Sequence, residues 1–135
     1  MQGGQPHRWA WPVWTLGAFL CAVHMALAMG LHHDWNHAAA IEATARQTQA
    51  VYGVNWGGGV YVNYAFLALW TAEVMWWRAS PRRYLSRSAA TTWIVRSFYL
   101  IVLLNAAVVF ASGARAVAGV LLIASLLWIW RPGGR

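Results

Sequence analysis

Charge is what this chain has least of. It contains no lysine and only three acidic residues, and charged side chains make up 10 % of its 135 residues. A soluble domain carries about 25 %, so a solvated globular surface cannot be built from this composition. The acids are Asp34, Glu42 and Glu73. They lie too far apart, and in too different surroundings, to make a paired-carboxylate acid–base site or to complete a Ser/His/Asp set. The single cysteine, Cys21, excludes an intrachain disulfide and a thiolate metal cage.

Hydrophobic residues make up 60 % of the chain, and there are eleven tryptophans. Four apolar runs, about 13–31, 60–77, 92–111 and 114–130, each approach or reach the ~17–25 residues needed to cross a bilayer. Each is expected to be helical, because lipid offers an isolated strand no backbone partners. The short Ser112-Gly113 turn makes the last two antiparallel neighbours. The fold expected is all-α: an integral membrane four-helix bundle forming one domain over 1–135, with the lipid bilayer as its first partner.

The net charge of +7 comes from ten arginines. They sit at the ends of apolar runs rather than on a solvated face interleaved with aromatics, which argues against nucleic-acid binding. Arg8, Arg78, Arg82, Arg83, Arg87, Arg96, Arg131 and Arg135 fall on one side of a four-span topology, and Arg46 and Arg115 on the other. The positive-inside rule therefore predicts a multi-pass protein of the bacterial inner membrane with both termini cytoplasmic. Trp9, Trp11, Trp14, Trp76, Trp77, Trp93, Trp128 and Trp130 collect at the same inner boundary, with Trp35 and Trp56 at the outer one, as indole rings do at headgroup level. An alternative exists at the N-terminus. Arg8, an apolar run and Ala26-Leu27-Ala28 resemble a signal peptide with a small-residue cleavage site, which would leave three spans starting near Met29. The Trp-rich flank, His24 and the apolar continuation to Leu31 suit an anchor better.

Between the first two runs the pattern changes. From about 35 to 52 a short amphipathic helix is expected on the outer surface, capped by Asp34 or Asn36 and stopped by Gly53. Ile41, Thr44, Ala45, Thr48, Val51 and Tyr52 share one face, His37 belongs with them, and Glu42 pairs with Arg46 opposite. Gly57-Gly58-Gly59 lacks the Lys-Ser or Lys-Thr of a phosphate loop. It is expected to give a flexible or positive-φ start that lets the second span approach its neighbours closely.

His32, His33, Asp34 and His37 form the candidate metal site. Imidazole and carboxylate suit copper or zinc, and His33 and His37 have the i,i+4 spacing of a chelating pair. Assembly needs a tight bend at Asp34. Tyr61, Asn63 and Tyr64 are candidates for a polar vestibule beside it. Within the spans, ionisable and amide side chains are functional candidates by default: His24 facing Asn105, and Glu73 neutralised by Arg78 or Arg96. His24 and His32 are about 12 Å apart along one helix, too far to share a metal. With no His at all in the later three spans, a bis-histidine haem within one subunit is not expected.

The pieces His33-Asp34-Trp35-Asn36-His37-Ala38, Thr44-Ala45-Arg46-Gln47-Thr48 and Trp56-Gly57-Gly58-Gly59-Val60-Tyr61-Val62-Asn63-Tyr64 resemble a pattern found in a family of small multi-span bacterial membrane proteins of no assigned activity. The resemblance implies a membrane protein and carries over no catalytic role. The leading expectation is a non-enzymatic subunit or assembly factor of a larger membrane complex, with a membrane-protein partner or a homo-oligomer served by the small residues at 111–119. The alternatives are a copper or zinc redox protein and a small transporter using His24, Asn105 and Glu73.

Overall fold

The computed structural model describes residues 8–130. Arg131 and Arg135, and the terminal residues that bear on orientation, lie outside this range. The described chain is helical, with no strand: α1 (Ala10–His33), α2 (His37–Tyr52), α3 (Gly59–Ala79), α4 (Pro81–Leu85), α5 (Ala89–Leu104), which runs on through a π-turn over Asn105–Val109, and α6 (Ala114–Ile129). All four apolar runs become helix, within three residues of their expected bounds.

Two helical stretches are long and apolar enough to cross a membrane: Ala10–His33 and Ala89–Val109. The second candidate run, α3, has 21 residues, but Asn63, Glu73, Arg78 and a series of Trp and Tyr make it more polar. α6 is apolar and has 16 residues, about 24 Å of rise.

α3 is the centre of the fold. It runs antiparallel to α1: Trp11 Nε1 donates to the Val74 carbonyl at 3.3 Å, Trp70 packs against Gly17, and Tyr64 reaches Met29. A Cβ on Gly17 would stand 2.7 Å from the Trp70 ring, so the absence of a side chain there sets the helix separation. α3 also runs antiparallel to α5: Val62 and Asn63, early in α3, share a cavity with Ile101, Val102 and Asn105, Phe66 meets Tyr99 at 5.1 Å between centroids, and Glu73, later in α3, meets Tyr99 and Arg87. α1 and α5 are therefore parallel to each other. The core is Phe66, Tyr99 and Val102, surrounded by Trp14, Cys21, Leu69 and Trp70. Trp14 is half-buried against this core, 4.8 Å from Trp70 between ring centroids. The indole N–H groups of both rings are buried without partners, the cost of using indoles as wedges in an apolar layer.

α4 was not legible beforehand. Pro81 opens it at a position where a missing N–H is harmless, and it carries Arg82 and Arg83 outward. α6 packs on α5 and its π-turn. A Cβ on Gly119 would collide with the Ala107 carbonyl oxygen, so part of the small-residue stripe expected to serve a partner is consumed inside the chain. Little else is covered. Among the described residues no side chain is completely buried, and Leu16, Phe19, Leu27, Leu31, Ile94, Leu121 and Ile129 are all exposed.

Candidate functional site

The bend after α1 is real and tight. Asp34 (φ 49°) and Trp35 (φ 58°) are both left-handed, and the Trp35 N–H closes on the Met29 carbonyl at 2.9 Å. Asp tolerates this conformation; Trp does so at a cost of about 1–2 kcal/mol. The Trp35 indole folds back over Gly30, where a Cβ would stand 3.2 Å from Nε1, and that contact accompanies the strained turn. Asn36 then caps α2, accepting from the Ala39 N–H at 3.2 Å, and Gly53 (φ 74°) ends it.

The bend does not gather the histidines and the carboxylate. Among the described residues no group of three or more His, Cys, Asp or Glu side chains is placed to hold a metal ion. His32 and His33 have ring centroids 6.5 Å apart at the end of α1, and Asp34 is exposed in the turn. The reason is rotational: two consecutive left-handed residues swing the start of α2 toward α3. His37 is exposed rather than part of the buried face of α2, which centres on Ala40 and Thr48. It lies between two tyrosines of α3. Its ring stacks on Tyr64 at 5.7 Å and meets Tyr61 edge-on at 5.6 Å. Nδ1 is 3.2 Å from the Tyr64 hydroxyl and Nε2 is 3.4 Å from that of Tyr61. Tyr61 and Tyr64 thus do meet a histidine, as a clasp holding the first turn of α2 to α3.

The far end of α2 is tied by a second polar contact that sequence reasoning missed. The Tyr52 hydroxyl donates to Asn105 Oδ1 at 2.5 Å, and Asn105 Nδ2 donates to the Ile101 carbonyl at 2.8 Å. Asn105 is the first residue of the π-turn, where the helical ladder widens. The expected His24–Asn105 bond is not formed. Asn105 serves α2, and the His24 side chain has no hydrogen-bond partner among the described residues. Between its two ties α2 lies close on the start of α3. The glycines there have ordinary φ values, so close approach is the operative explanation: a Cβ on Gly57 would meet the Ile41 carbonyl oxygen and Cγ2 at 2.5 Å, and one on Gly59 would meet Thr44 at 3.0 Å.

Beneath α2 the helices do not close. A cavity of about 610 Å³ lies between α2, α3 and the end of α5, bordered by Tyr52, Trp56, Asn63, Ile101, Asn105 and Phe110. A cleft of about 410 Å³ lies between α1, α3 and α5, and His24 and His33 face it. Thr44, Asn63, Val102 and Ala106 border both. Asn63 turns away from the His37 clasp into this space, and its carboxamide makes no hydrogen bond among the described residues.

Glu73 sits at the opposite end. Its partner is neither Arg78 nor Arg96 but Arg87, whose Nη1 lies 2.5 Å from Oε1; the two side chains are 15 % and 5 % exposed for Arg87 and Glu73 respectively. Tyr84 donates to Oε1 at 3.1 Å and Tyr99 to Oε2 at 2.8 Å. Arg87 also donates to Thr92 Oγ1 and lies over the Tyr84 ring. Arg96 stands over Trp93 and Trp130. Burial, reinforced by the adjacent Glu73 carboxylate, raises the Tyr84 phenol above its ordinary range. A carboxylate held by one guanidinium and two hydroxyls is a structural clamp, joining α3, α4 and α5. The sequence signal for it was faint: Arg87 follows a Pro-initiated turn that returns the chain toward α3.

The cavity under α2, with Asn63 and Asn105 at its edge, combines volume, uncharged polar groups and aromatic walls. No protein-family model matches the chain, and no curated protein and no solved structure is similar to it.

Proposed function

We propose that the chain is a four-span integral protein of the bacterial inner membrane, acting as a non-catalytic subunit or accessory factor of a larger membrane assembly. The observation that carries the membrane reading is the parallel run of α1 and α5. Two parallel spans oblige the chain to recross between them, and α3, 21 residues long and about 31 Å by helical rise, is the segment antiparallel to both. Arginine distribution then puts α4 and both termini in the cytoplasm, and α2 outside. α6 completes the set, its outward face formed by Val117, Val120, Leu121, Leu127 and Trp128.

The non-catalytic reading rests on how the acids are used. Glu73 is saturated by Arg87, Tyr84 and Tyr99. Glu42 is paired with Arg46 at 2.6 Å, and Asp34 is spent on a left-handed turn. Alkaline extraction of membranes, with reporter fusions at 53–58 and 80–88, tests the topology; release into the soluble fraction would overturn it. Native electrophoresis after mild detergent extraction tests the assembly, and a discrete monomer without partners would count against the subunit reading.

A further inference from the structure

The cavity beneath α2 has features that specify an occupant. None of its bordering residues is formally charged, so a phosphate-bearing lipid headgroup would find no cation there. Its volume, about 610 Å³, falls in the range of small-molecule sites. Its walls are aromatic at one end, where Tyr52 meets Phe110 edge-to-face at 6.0 Å beside Trp56. Such walls favour a flat ring, which can stack or pack edge-on.

The polar groups are uncharged: the hydroxyls of Thr44, Thr48 and Tyr52 and the carboxamides of Gln47, Asn63 and Asn105. Asn63 brings a carboxamide with no internal partner. Asn105 is held rigidly by Tyr52 and has given one of its two N–H bonds to Ile101, so a second remains to donate. Both amides are accessible from the cavity, so a carbonyl or hydroxyl entering it can accept from them. The 410 Å³ cleft continues past Thr44, Asn63, Val102 and Ala106 toward Cys21, Met25 and Leu103, with His24 and His33 along its α1 side, and offers a mainly apolar course for a tail.

We propose that this cavity binds the uncharged, carbonyl-bearing ring of a quinone-type lipid, with Asn63 and Asn105 donating to its oxygens and its tail along the adjoining cleft. No electron transfer is assigned to the protein; the step is binding alone. Access from lipid rests on the membrane reading given above, whereas binding in micelles does not.

The test uses the purified full chain in dodecyl maltoside and radiolabelled decylubiquinone as the probe, measured by equilibrium retention. Saturable binding of about one probe per chain is expected. Asn63→Leu removes one hydrogen bond to the ring and weakens binding about fivefold. It breaks no internal hydrogen bond, so its circular dichroism and thermal unfolding stay those of the parent. Ala106→Phe fills the wall common to both spaces and abolishes saturable uptake, while Ala118→Phe on the outward side of α6 leaves it intact. Uptake that only tracks empty micelles overturns the proposal. So does saturable binding indifferent to Asn63→Leu, or displacement of the probe by phosphatidylglycerol. Failure of any of these leaves the alkaline extraction result, and so the membrane reading, untouched.

Discussion

Replacing Arg87 with methionine should be the most damaging single change at the α4 end. Glu73 is almost wholly buried and Arg87 is its only cationic partner within ion-pair distance among the described residues. Removing one member of a buried pair leaves the other charge uncompensated and costs about 3–5 kcal/mol. Here the carboxylate keeps the hydroxyls of Tyr84 and Tyr99, and the methionine stem replaces much of the arginine's contact over the Tyr84 ring. The loss should therefore fall near the lower bound, about 3 kcal/mol. Glu73→Gln/Arg87→Met together should recover to within about 1 kcal/mol of the parent, because the amide still accepts from both tyrosines and no bare charge remains. The coupling energy from the cycle is then at least about 2 kcal/mol, larger by whatever Glu73→Gln costs on its own. Reversible unfolding in mixed dodecyl sulfate and dodecyl maltoside micelles, followed by tryptophan emission, measures all four species. The reasoning is refuted if Arg87→Met stays within about 0.5 kcal/mol of the parent while Arg78→Met or Arg96→Met costs more. That result would return Glu73 to one of the partners suggested by sequence alone.

Other outcomes follow from the same geometry. Tyr99→Phe removes a hydrogen bond to a buried carboxylate and should cost about 1.5–2 kcal/mol in the same unfolding assay. The raised Tyr84 phenol favours the folded state while protonated. That contribution is intact below the ordinary tyrosine range near pH 10 and is lost as pH rises through the higher folded value; Tyr84→Phe should flatten this part of an alkaline stability profile. His37→Ala unties the start of α2 at an exposed site, costing about 1 kcal/mol overall but sharply increasing hydrogen exchange over 37–44, with 114–129 unchanged. Gly57→Ala drives a Cβ into Ile41 and should cost about 1–3 kcal/mol, read in the same exchange experiment as loosening of α2.

The parts of this fold that were legible are those governed by composition and local rules. Run length placed all four long helices, and the Asn36 cap and Gly53 stop of α2 followed from side-chain oxygen chemistry and positive φ. The parts that were not legible depend on residues far apart in the chain. Five residues of α4 are too few to show a period, yet its length decides that Arg87 rather than Arg78 meets Glu73. Nothing in Asn-Ala-Ala-Val-Val announces a π-turn; it occurs where Gly119 lets α6 press on Ala107. The histidines looked like a ligand set because they are adjacent in sequence. The partners His37 finds, Tyr61 and Tyr64, are hydroxyls more than twenty residues away. Asp34 was readable as a turn residue, whereas the left-handed Trp35 depends on Gly30 leaving room for its ring.

The two ends of the bundle are built on opposite terms, and side-chain size explains why. At the α4 end, Trp14, Phe66, Trp70 and Tyr99 interlock over a satisfied ion pair. At the α2 end, the buried side of the helix carries Ala40, Thr44 and Thr48, too short to reach across to α5, and Tyr52, its last residue, reaches the π-turn beyond α5. Gly57 and Gly59 draw α2 onto α3, which fixes the roof at one edge and leaves the space beside it unfilled. Two ties hold that roof, His37 to the tyrosines and Tyr52 to Asn105, and neither fills the space below. Burial of methylene groups stabilises by about 0.8 kcal/mol each, so larger apolar residues on this face would have made a more stable protein. A cavity maintained by short side chains, close glycines and two polar ties is a property of how α2 is held, so loosening either tie should alter the cavity before it alters the core.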